Sequence, residues 1–208
     1  MSKKLKSILI ICLVILLVAA SIFLYLKLNK KEEKKQTEEV KEVDVIQTKE
    51  FDYVLYDNKG DLYQEYFKKL KDILLAETID DLEYAKTISS LFVIDFYSLD
   101  EKKTNTDVGG LDFILEDIKE NFTLKANDTM YKYIESNVYG QRKQSLPKVK
   151  TVEIKTIEPK IVKSDIINDE KGYSSTVSIT YDKELGYPKE VSLTLVHKDN
   201  KIYILEVK

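Results

Sequence analysis

The chain has 208 residues, 33 of them basic and 36 acidic, for a net charge of −3, and the charge is unevenly placed: residues 1–26 carry three Lys and no acid, whereas residues 51–208 carry 23 basic against 29 acidic side chains. An acidic domain repels phosphate backbones, which excludes nucleic acid as the main ligand. A single His and a single Cys exclude a multi-histidine metal centre and a disulfide framework, so neither metal nor cofactor is expected.

The first predicted element opens at Ser7 and closes at Leu26: SILIICLVILLVAASIFLYL, twenty residues without a charge, between Lys6 and Lys27. As a helix it is about 30 Å long, the thickness of a bilayer's hydrocarbon core, and it reads as one transmembrane span. A cleaved signal peptide would leave Ile22, Phe23 and Leu24 as exposed apolar surface at the new terminus, so an uncleaved anchor is expected. Cys12 lies inside the apolar run and reads as a small buried residue. Residues 1–6 then form a cytoplasmic tail. With that tail inside, the C-terminal part is extracytoplasmic. Because 32 of the 33 basic residues are Lys, the composition suggests an AT-rich, bacterial coding sequence.

Residues 27–50 hold seven Lys and seven acids with no Gly or Pro, and read as a charged, solvated linker. Residues 51–208 read as one α+β domain. FDYVLY at 51–56 is a short strand ending in the turn signal DNKG. Asp61 is expected to cap a helix over 61–78 with an apolar stripe at Leu62, Tyr66, Phe67, Leu70, Ile73 and Leu74. Thr78 or Asp80 opens a second helix, expected over 80–99, with Leu82, Ala85, Ile88, Leu91, Phe92 and Leu99 on one face. Thr106 and Asp107 are expected to cap a third over 108–122, through Leu111, Ile114, Leu115 and Ile118. Asn127 and Asp128 are expected to cap a fourth over 128–138, closed by Gly140. After Pro147 the apolar period changes to two. A long extended run over 149–162 slips phase near Thr156 and Ile157, which predicts a bulge. Tyr173, Ser175, Val177, Ile179 and Tyr181 alternate, as do Val191, Leu193 and Leu195. Asp199 and Asn200 make a tight hairpin into the last strand. Helices first and an antiparallel sheet of about four strands last is the segregated order of an α+β fold.

Four features invite a functional reading. Asp95, in LFVIDFY, falls beside the apolar stripe, where a buried carboxylate either takes hydrogen-bond partners as a structural group or rises in pKa as a general acid, base or ligand contact. Gly109 and Gly110 offer free amides to an anion or else permit close packing. His197 stands alone at a strand end, without a nucleophile motif, and reads as inert. Tyr131, Tyr133 and Tyr139 lie just before Arg142 and Lys143, an aromatic and basic segment suited to gripping a partner or, equally, to helix packing. No catalytic residue is assigned.

Tail, anchor, charged spacer, helices and four-stranded sheet together resemble the single-pass assembly factors of conjugation and type IV secretion machines, whose outer domains are nuclear-transport-factor-2-like. The segments LFVIDFYSLDEKKTNTDVGG and YGQRKQSLPKV are similar to membrane-anchored proteins of clostridia that bring no activity with them. The first resemblance implies a non-enzymatic extracytoplasmic scaffold contacting other membrane or envelope proteins, with self-association as a further expectation. A small-molecule or peptide sensor is the alternative, and an enzyme the least supported class.

Overall fold

The computed structural model describes residues 41–48 and 50–208. The expected anchor, its tail and most of the linker lie outside the described residues, among which no helix is long and apolar enough to cross a membrane.

The order is β1 (Glu42–Gln47), β2 (Asp52–Tyr56), α1 (Asp61–Leu74), α2 (Asp81–Tyr97), α3 (Glu116–Asp128), β3 (Val149–Pro159), β4 (Val162–Lys163), β5 (Asn168–Asp169), β6 (Tyr173–Tyr181), β7 (Glu190–Lys198) and β8 (Lys201–Val207). Three antiparallel pairings make the sheet β3-β6-β7-β8, so the expected four-stranded antiparallel sheet and the α+β class are present. Register shifts between Ile154 and Thr156, where the phase slip predicted a bulge. Asp199 and Asn200 both take positive φ, 50° and 64°, as a two-residue primed hairpin requires.

Helix α2 is the centre of the domain. Asp80 caps it, accepting from the Glu83 amide at 3.0 Å. It packs on α1 and on β3, β6 and β8, and every residue but Lys86 from Tyr84 to Tyr97 is buried. The expected single apolar face is therefore an all-round burial, the pattern of a core helix. Its buried Thr87, Ser89 and Ser90 are satisfied by bonds to the carbonyls of Glu83, Ala85 and Lys86.

Three expectations are corrected. The linker does not extend to residue 50, because residues 42–47 form β1, which pairs with β2 and buries Ile46. No helix spans 108–122. Gly110 turns left-handed at φ 75°, Leu111–Phe113 makes one 3-10 turn, Ile114 bridges in parallel to Ile204, and α3 starts only at Glu116. The apolar spacing there is real but serves two surfaces: Phe113 and Ile114 enter the main core, while Leu115 joins Val162 and Val196 in a second cluster. Nor is there a helix over 128–138. Thr129 leaves helical geometry, and the chain closes in turns whose amides, Thr129 and Tyr131, share the Ala126 carbonyl.

Candidate functional site

Asp95 sits on α2 with its side chain 7% exposed. Its Oδ1 accepts from Lys102 Nζ at 2.7 Å, and its Oδ2 accepts from Lys59 Nζ at 2.7 Å and from the Gly110 amide at 2.8 Å. Burial alone would raise its pKa. The two ammonium groups, through charge and hydrogen bonds, more than reverse this and hold the carboxyl well below the usual carboxylate range. A carboxylate with every partner supplied from within is a structural tie, joining α2 to the β2–α1 turn through Lys59 and to the glycine loop. The glycines follow from that closeness: a Cβ on Gly109 would collide with the Asp95 carbonyl oxygen.

The expected partner-binding segment divides. Tyr131 is fully buried, donating to the Phe96 carbonyl at 2.6 Å and accepting from the Gly109 amide at 3.1 Å, so it is not available to a partner in this structure. Arg142 donates to the carbonyls of Asp100 (2.6 Å) and Lys102 (2.8 Å), fixing the loop after α2. Tyr133 and Tyr139, 75% and 66% exposed, and Lys143 do face solvent.

His197 does not stand alone: it is paired with two carboxylates. Its Nδ1 lies 2.9 Å from Asp169 Oδ2 and its Nε2 lies 3.0 Å from Asp81 Oδ1, while Tyr173 donates to Asp81 Oδ2 at 2.7 Å. Carboxylate oxygens only accept, so the arrangement needs both ring nitrogens protonated. Desolvation would lower the imidazole pKa, but the hydrogen bonds and charges of Asp169 and Asp81 raise it above the ordinary value. With the folded pKa raised, this contribution is complete below about pH 6.5 and is lost as pH rises through the folded value. Because the ring is partly exposed, the loss should be on the order of 1 kcal/mol. Urea titrations across that range should show the decline in the native chain and not in His197→Gln; parallel curves would refute it. Both ring nitrogens are committed to carboxylates, which leaves neither to activate a nucleophile.

Sequence reasoning missed the groove between α3 and β8. A cavity of about 370 Å³ is walled by Phe96, Ile118, Phe122 and Met130 and floored by Leu205 and Val207. It shares Ile118, Leu205 and Glu206 with a second hollow of about 410 Å³ that reaches Lys160, Lys163 and Thr194. The apolar residues of α3 were visible in the sequence. Their convergence on the edge strand depends on α3 starting at Glu116 rather than eight residues earlier. Comparison with family models, with curated proteins and with solved structures finds no match for the chain.

Proposed function

We propose that this chain is a non-catalytic scaffold or interaction protein of a cell-envelope or conjugation-type complex, anchored by residues 7–26 with the α+β domain outside the cell. The observation that carries the binding part is the α3/β8 groove, an open apolar channel at a sheet edge. By contrast, Asp95 and His197 spend their charges on neighbours within the domain. The anchor, the extracytoplasmic placement and the nuclear-transport-factor-2-like reading of helices on a four-stranded sheet rest on the sequence and on fold analogy. The second reading, a sensor of small molecules, is favoured by the groove's volume, which lies within the range of ligand pockets.

A photoreactive amino acid at Tyr133, and separately at Thr129 on the groove rim, tests the proposal in cells carrying the full chain. Crosslinks from these positions to other envelope proteins are expected. Recovery of the monomer alone, together with tight binding of a small apolar molecule by the purified full chain, would replace the scaffold by the sensor.

A further inference from the structure

We infer that the α3/β8 groove takes an extended, alternately apolar and acidic segment of a partner protein, added as a further strand along residues 205–207. This rests on the binding-module reading and names the partner's chemistry.

The first support is the backbone. Strand β8 ends the sheet order, so one of its edges has no strand partner among the described residues. Ser192 and Lys208 exchange both amide–carbonyl bonds, at 2.9 Å each. Val207, opposite Leu193, is therefore a non-hydrogen-bonded position whose N–H and C=O face away from β7. The chain itself begins to cover this edge and stops. Leu115 donates to the Ile204 carbonyl at 3.1 Å, Ile114 bridges Ile204, and then α3 turns away. Beyond Ile204 the edge forms the floor of the groove. A bare strand edge is what an added strand recognises through main-chain hydrogen bonds.

The side chains supply the specificity. Successive residues of a strand point to opposite sides, so alternate residues of an incoming segment would meet the wall of Phe96, Phe122 and Met130. Exposed Ile161 and Ile166 extend the apolar surface along the second hollow. The charges set the sign. Lys125 and Lys163 make no ion pair among the described residues, and Lys160 is hydrogen-bonded to Thr194. The one lining carboxylate among the described residues, Glu206, is occupied by Lys208 and Thr194. A basic rim on a domain with an acid excess of 29 to 23 favours acidic residues in the partner. A small molecule would leave the strand edge unused, and this favours the peptide.

The test pans a display library of random linear peptides against the full-length chain in nanodiscs. Enriched peptides should alternate apolar and acidic residues, and their affinity should fall by about tenfold or more in Lys125→Glu, with added salt weakening the native binding. Val207→Pro removes the outward N–H without a bond to β7 and should have a similar effect, while Val207→Thr, which keeps the N–H, should bind as the native chain does. Should Val207→Pro unfold, Lys125→Glu combined with Lys163→Glu, both at exposed positions, decides the matter. No enrichment, or peptides indifferent to these variants, overturns the inference. So does dodecanoate binding that Lys125→Glu abolishes when no peptide is enriched, an outcome that points to a small amphiphile. If the peptides fail while the crosslinks from Thr129 and Tyr133 persist, strand addition falls and the binding-module reading stands; if both fail, both are lost.

Discussion

Asp95→Asn is expected to lower the stability of the domain by about 3–5 kcal/mol, read from the midpoint of urea denaturation, because it strands a buried cation. Lys102 is 5% exposed at its side chain and its ammonium lies 2.7 Å from the carboxylate it would lose. Lys59, at 18%, is nearer solvent and can recover part of its hydration. The amide keeps an oxygen for the Gly110 amide but turns its NH2 toward a lysine that can only donate. If the loss is that of an uncompensated charge, the double variant Asp95→Leu with Lys102→Met should recover much of it. An unchanged midpoint with loss of partner binding would reverse the structural assignment. The same carboxylate sets a second expectation, opposite in direction to that of His197. A folded-state pKa held below the ordinary value gives stability that is complete above about pH 4 and is lost as pH falls toward the folded value, so this tie survives mild acid.

Gly110→Ala should cost about 2–5 kcal/mol, the sum of two separable effects. Its φ of 75° is one that an L side chain adopts at a cost of about 1–2 kcal/mol. The added Cβ would also lie 2.6 Å from Phe92 Cδ2. The Phe92 ring has no room to yield, being fully buried and packed on Phe96 and Phe122 with centroids 5.3 and 6.0 Å away. Overpacking of this kind typically costs about 1–3 kcal/mol. Gly186→Ala separates the two effects, since Gly186 has φ 79° and an added Cβ there would meet nothing within 4 Å, so it should show the backbone cost alone. Equal losses in both variants would mean that the Phe92 contact contributes nothing. Lifting the loop would also lengthen the Gly110 bond to Asp95, so the Gly110→Ala effect should shrink in an Asp95→Asn background.

Much of the candidate surface was legible, though not its arrangement. The sequence marked Asp95 as a buried carboxylate and Gly109 with Gly110 as a place of close approach, and the two turn out to be one feature. It offered Tyr131, Tyr133, Tyr139, Arg142 and Lys143 as one patch. They separate because Tyr131 is drawn inward by the Phe96 carbonyl, and because the guanidinium of Arg142 finds two backbone oxygens left by the turn after α2. Residue type carries no information about either partner. His197 looked isolated because Asp81 and Asp169 lie 116 and 28 residues away in sequence.

The alternation of Tyr173, Val177 and Ile179, the turn at Asp199 and Asn200, and the Asp80 cap were determined locally. In each case the period of side chains or the dihedral preference of one or two residues decides the structure without reference to the rest of the chain. Only the tertiary structure decided the path from Val108 to Ile134. There the apolar spacing suits a helix, yet Gly110 must pass over Phe92, Ile114 bridges to the distant strand at Ile204, and Leu115 has a separate apolar cluster to join. Burial against distant residues outweighs a helical propensity worth only a few tenths of a kcal/mol per residue. The same long-range competition leaves the edge of β8 beyond Ile204 uncovered among the described residues, where it borders the groove.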